Sequence, residues 1–158
     1  MGHYGAAEAI RLIVAGLVYI AAYAPDEGET LLDLNGRFPA TEGVSHLQFD
    51  NGGFGWFNPE AFPKSFASDV EETQARIMAV VQKPITGQAF GSKVEKAAWK
   101  TLPSWYLVSQ NDTVINPDLE RWMAERIGAT TREVAASHAS LVSHPQEVSD
   151  LIIEAAQK

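Results

Sequence analysis

The residues best suited to chemistry lie in two short segments of the C-terminal half. Asp112 ends Trp105-Tyr106-Leu107-Val108-Ser109-Gln110-Asn111-Asp112, just beyond an apolar run, and His138 sits in Ala136-Ser137-His138-Ala139-Ser140, beyond a second run. A carboxylate past the end of one strand and an imidazole past the end of its neighbour can orient a general base. The carboxylate fixes the imidazole tautomer and stabilises the imidazolium that forms when the base takes a proton. From spacing alone each residue also has a plain reading, Asp112 as a turn former after Asn111 and His138 as a structural loop histidine. Ser109, Ser137 and Ser140 lie close to the pair, but none sits in a glycine-flanked elbow that exposes its oxygen at a helix N-terminus. His144 falls at the cap of the last predicted helix and reads as structural. His3, His46, His138 and His144 form no H-x-x-x-H or H-E-x-x-H pattern, and no glycine loop is built to cradle phosphate, so neither a metal nor a cofactor is expected.

The elements that must carry these residues alternate between strand and helix. Residues 15–21 form an apolar run of Val, Leu, Tyr and Ile that reads as a fully buried parallel strand, preceded by a short helix over 6–13. Further strands are expected at 105–109 and 131–135. Asn116 caps a helix with Pro117 at its first position, a face of Leu119, Trp122, Met123 and Ile127, and Gly128 beyond its end. Pro145 and Glu147 open a final helix with an apolar stripe of Val148, Leu151, Ile152 and Ala155. Between the first two strands, Ser68-Asp69-Val70-Glu71 reads as a capping box for a helix with Val70, Ile77, Met78 and Val81 on one face, stopped by Pro84. Ser92-Lys93-Val94-Glu95 repeats that signal for a shorter helix running toward Trp99. Residues 26–63 are rich in Gly, Pro and aromatics and read as an insertion over the sheet's end. Trp56 and Phe57 there either line an acyl pocket or fill the interface between insertion and sheet. Parallel strands with crossover helices make an α/β sheet, with functional groups at the carboxyl ends of the strands.

Composition excludes several functions. The chain has 158 residues, 46% of them hydrophobic and 20% charged, which fits one globular domain with a real core. Twelve basic residues against twenty acidic give a net charge of −8, and no basic stripe tracks a phosphate backbone, so nucleic acid is not expected as a partner. The absence of cysteine rules out disulfides, thiolate metal sites and a cysteine nucleophile. Residues 12–24 imitate a secretory signal ending Ala22-Tyr23-Ala24, but the run is too short to span a bilayer and Glu8 spoils its charged start. A cytoplasmic protein without a membrane partner is the expectation.

The run LPSWYLVSQNDTVINPDLERWMAERIGATTREVAASHASLVSHPQEV resembles the C-terminal third of an α/β-hydrolase, specifically the small bacterial enzymes similar to plant methylesterases and hydroxynitrile lyases. VAGLVYIAAYAPDEGE resembles the strand after the nucleophile helix of the same family. The resemblance covers essentially the whole chain. It implies a partial α/β-hydrolase fold: a short parallel sheet flanked by helices, with a helical cap insertion at about residues 26–99. It also implies a carboxylic-ester hydrolase with a Ser-His-Asp triad, in which Asp112 matches the acid and His138 the base, acting without a cofactor on a small ester-like molecule. Family members read close to G-H-S-Y-G-G at the nucleophile, whereas this chain reads Gly2-His3-Tyr4-Gly5-Ala6, with no hydroxyl between His3 and Tyr4. The amide of Tyr4 matches one oxyanion donor. The expectation is a single truncated domain, esterase-like by descent and inactive as this chain. The alternative is a remnant or half of a split fold that acts as an association module. Strand 15–21, interior in the family, is expected to pair at its bare edge as a homodimer or with a complementing chain, unless residues 26–63 cover it.

Overall fold

The structure is a computed structural model that describes residues 14–158, so Tyr4 and the helix expected over 6–13 lie outside the described residues. The three apolar runs pair as parallel strands β1 (Leu17–Ile20), β5 (Ser104–Ser109) and β6 (Thr130–Val134), in the order β1-β5-β6. Tyr19 lies opposite Tyr106, and Trp105 opposite Thr130. Every residue of the central strand β5 is buried. Alternate side chains explain this: Tyr106 and Val108 pack on Leu119 and Met123, while Trp105 and Leu107 pack on Val148 and Leu151 of the last helix. The residues of β1 are half-buried rather than fully buried, because among the described residues β1 has a partner strand on one edge only.

The two flanking helices form much as their sequences specify. In α5 (Pro117–Arg126) the Asn116 side chain accepts the Asp118 amide at 2.9 Å, and Pro117 fills the first turn, where its missing N–H costs nothing. The helix ends at Gly128, whose φ of +63° lets the amides of Gly128 and Ala129 return to the carbonyls of Glu125 and Ala124, each at 3.0 Å. After the short α6 (Ser140–Ser143), the last helix, α7 (Pro145–Ala156), buries Val148 and Leu151 but leaves Ile152 45% exposed, a narrower stripe than its sequence suggested.

The insertion between β1 and β5 is not purely helical. It holds an antiparallel sheet of β2 (Leu47–Phe49), β3 (Phe54–Phe57) and β4 (Ile85–Thr86), with four helices around it: α1 (Leu31–Asn35), α2 (Phe62–Ser65), α3 (Glu72–Val81) and α4 (Gln88–Gly91). Both capping boxes read from the sequence are corrected. Helix α3 starts after Glu71, three residues beyond the expected cap Ser68, and the carboxylate of Glu71 itself accepts the Gln74 amide at 3.0 Å. The buried face of α3 is Ala75 and Ala79, with Ile77 and Val81 outward. Ser92 ends α4, and Val94 pairs with the backbone of Gly28 and Glu29 instead of entering a helix. The capping box that does form is Thr30 with Asp33, at the start of α1. Arg126 anchors the insertion to the sheet domain: its guanidinium donates to both Glu29 oxygens at 2.9 and 2.8 Å and to the Ala24 carbonyl at 2.6 Å, while lying 4.4 Å over the Trp122 ring. Among the described residues no helix is long and apolar enough to cross a membrane.

Replacing Gly128 with Ala puts a side chain into the left-handed conformation that closes α5. The expected cost is about 1 kcal/mol of folding stability, read as a lowered urea midpoint with an unchanged slope.

Candidate active site

Beyond β5 the chain turns through residues 110–112 and is stitched to the loop beyond β6: the Gln110 amide donates to the Val134 carbonyl at 2.9 Å and the Asn111 amide to the Ala136 carbonyl at 3.0 Å. This brings Asp112 and His138 together. The Asp112 side chain is fully buried. One of its oxygens accepts the amides of Val114 and Ile115 at 2.6 and 3.0 Å, and the other lies 2.6 Å from His138 Nδ1. A carboxylate accepts, so Nδ1 donates this bond and Nε2 takes no part in it. The ring is 18% exposed and packs edge-on against Phe66, with centroids 4.6 Å apart.

His138 also lines a cavity of about 600 Å³ between the sheet end and the cap, and Nε2 is the ring nitrogen free to face it. The size suits a small organic molecule. Trp56 and Phe57 both line the cavity, with Phe62, Phe66 and Met78. Phe57 serves the second role read from its sequence as well, packing against Phe62 and Phe66 at 6.4 and 5.3 Å. Ser109, Ser137 and Ser140 are buried and line no part of this cavity. His144 stands at the N-cap position of α7 but makes no cap bond; its Nδ1 lies 2.9 Å from the Ser143 hydroxyl. Among the described residues no group of three or more His, Asp or Glu is placed to hold a metal ion.

The cap also holds the loop that carries Asp112. Thr41 donates to the Val114 carbonyl at 3.1 Å, Thr113 to the Ser65 carbonyl at 2.7 Å, and the Asn116 amide group to the Pro39 carbonyl at 3.0 Å. Gly43 approaches so closely that a Cβ there would fall 2.3 Å from the Thr113 carbonyl oxygen.

One member of the site was not singled out from the sequence. Glu120 is fully buried on α5, and its carboxyl accepts the Ser109 amide at 3.1 Å. Burial, reinforced by the negative charge of Asp112, pushes its pKa up to about 10, so at neutral pH it is an uncharged acid. A signal for it exists: Met123, Ala124 and Ile127 follow Glu120 at offsets of three, four and seven, which places the carboxyl in the middle of the helix's apolar face.

Residues 1–151 match a family model described as the alpha/beta hydrolase family. The chain belongs to that family. Its fold is similar to polyneuridine aldehyde esterase at 14% identity and a TM-score of 0.77, covering 94% of this chain and 64% of that one. It is similar also to a pyrethroid hydrolase from Sphingobium faniae, at 22% identity and a TM-score of 0.74 over 91% of this chain and 61% of the other. A methylesterase from Arabidopsis aligns at 13% identity and a TM-score of 0.71, over 91% and 59%. This α/β-hydrolase chain therefore spans somewhat less than two thirds of the length of these structures. No curated protein matches it.

Glu120 gives the domain a definite pH response. Between pH 4.5 and about 10 the unfolded chain releases this proton while the folded chain keeps it, so the unfolded state binds fewer protons and stability falls as pH rises. Glu120→Gln is expected to flatten that fall, by up to about 1.4 kcal/mol per pH unit, and to stabilise the domain at alkaline pH. Denaturant unfolding of both proteins across this range measures it.

Proposed function

We propose that this chain holds the base and the acid of an acyl-hydrolase site, against which a small, largely apolar ester-like molecule binds. The observation that carries the reading is the His138 ring, bonded to buried Asp112 through Nδ1 at 2.6 Å and lining the cavity. In that geometry Nε2 takes the proton of an attacking hydroxyl and returns it to the leaving alkoxide, and Asp112 stabilises the imidazolium in between.

The cavity wall supports an apolar ligand. Gln82 is occupied by the backbone of Phe57 and Ala79, while Tyr23 donates to the Asn35 side-chain oxygen at 2.7 Å, leaving the Asn35 amide hydrogens as a polar contact for the ligand. The names of two similar structures, polyneuridine aldehyde esterase and a methylesterase, favour an ester as the reacting group. No serine among residues 14–158 lines the cavity, and the elbow Gly2-His3-Tyr4-Gly5-Ala6 carries no hydroxyl between His3 and Tyr4. The proposal therefore assigns proton transfer to these 158 residues but no nucleophile, and Tyr4 at most an oxyanion amide.

Hydrolysis of p-nitrophenyl acetate by the wild-type chain is expected to stay within about twofold of that by His138→Ala and Asp112→Asn, since a base without its nucleophile has nothing to activate. A saturable rate that drops at least about tenfold in His138→Ala means that a nucleophile is present and the assignment fails.

An association role is favoured by a separate observation. Leu17, Val18 and Ile20 are half-buried on a strand that pairs only with β5 among the described residues. We propose pairing at this edge, with a second copy or a complementing chain. Sedimentation of the chain as a dimer is the expected result; a monomer at all concentrations, with slow amide exchange across residues 15–21, defeats the proposal.

A further inference from the structure

The candidate base sits on a loop that the sheet holds at one end only. Behind His138, the Ala136 amide returns to the Val134 carbonyl at 2.8 Å and the Ala136 carbonyl accepts from Asn111. The contacts on either side of His138 go to the cap. The Ser137 amide donates to Asp69 Oδ2 at 3.0 Å, and the Ser137 hydroxyl donates to Asp69 Oδ1 at 2.5 Å. On the other side, the Ala139 amide is shared between the Phe66 carbonyl at 3.1 Å and Ser137 Oγ at 3.2 Å. Phe66 then presents its ring to the imidazole itself. Two cap residues three positions apart thus grip the residues on both sides of His138, Ser137 and Ala139.

We propose that Asp69 is the positioning residue for His138, so that the cap, and not the sheet alone, sets the orientation of the candidate base toward the cavity. This inference rests on reading His138 as the base. It has a simple physical ground. The Asp112 bond fixes one ring atom, but a ring on a loop can still swing about that bond unless its backbone is held, and here Asp69 holds it with two charge-assisted hydrogen bonds. Burial disfavours the charged form of Asp69, yet the Ser137 hydroxyl and amide outweigh it and keep the carboxyl below its usual range, so it stays an acceptor for both. The consequence is linkage between cap and base: moving residues 66–69 away from the sheet removes the restraints on residues 137–139 in the same step.

A different role for the same cluster fails on geometry. Ser143, His144 and Asp69 are the residue types of a second triad, but the Ser143 hydroxyl at 2.9 Å and the Asp69 carboxylate at 3.5 Å both face the same ring nitrogen, Nδ1. A relay needs them on opposite nitrogens.

The test is the low-field proton resonance of His138 Nδ1–H, assigned by its disappearance in His138→Ala and followed in the full chain. It is expected to persist in Glu71→Ala, which loses only an α3 cap bond, and to vanish or move upfield in Asp69→Ala, with partial recovery in Asp69→Asn. Exchange of the Ser137 amide is expected to quicken roughly tenfold or more in Asp69→Ala, the size of one lost charge-assisted bond. A resonance unchanged in Asp69→Ala, or lost equally in Glu71→Ala, overturns the assignment. If Asp69→Ala does not fold, Ser137→Ala and Asp69→Asn decide it, and unchanged spectra in both overturn it. Absence of the resonance in the wild-type chain has a different meaning: it defeats the Asp112–His138 pair, and with it the proposed function as well as this inference.

Discussion

A full charge buried without access to water is tolerable only when donors meet it, and the Asp112 carboxylate is met by three: two backbone amides and the His138 ring. Much of the sheet end is arranged to supply them. Val114 and Ile115 offer their amides because the chain turns back immediately after Asp112 to start α5, and His138 arrives because the loops after β5 and β6 are bonded to each other. A second carboxyl beside the first cannot also ionise at reasonable cost. Glu120 is accordingly kept neutral, and its Ser109 contact ties α5 to the end of β5.

The cap is bound into this arrangement and does more than roof it. It reaches the Asp112 loop through Pro39, Thr41 and Ser65, and the His138 loop through Phe66 and Asp69, so both halves of the pair have cap residues among their nearest supports. Gly43 permits the closest of these approaches because it has no side chain to strike the Thr113 carbonyl. The cavity is the space left between the aromatic side chains of the cap and the sheet end, and its apolar wall follows from the same residues that bind cap to sheet.

The sequence by itself determined the features that depend on neighbours along the chain. The three sheet strands, the capped helix from Pro117, its glycine stop and the last helix are written in local periodicity and cap chemistry, and the placement of Asp112 and His138 beyond strand ends follows from them. Tertiary structure decided what depends on residues distant in the chain. Ser68 had the right type and spacing with Glu71 for a capping box, but the helix starts three residues later with Glu71 itself as the cap, and the carboxylate of Asp69 between them is taken by two donors of Ser137, 68 positions away. Ser92 and Glu95 failed as a capping box because Val94 found extended backbone at residues 28–29 to pair with. Residues 85–86 joined the hairpin of 47–57 as a third strand for the same reason: a pairing partner as far along the chain as Gly55 is from Ile85 leaves no local period. Whether a polar side chain serves its own helix or a distant loop is an energetic competition between partners, and only the folded chain brings both partners within reach.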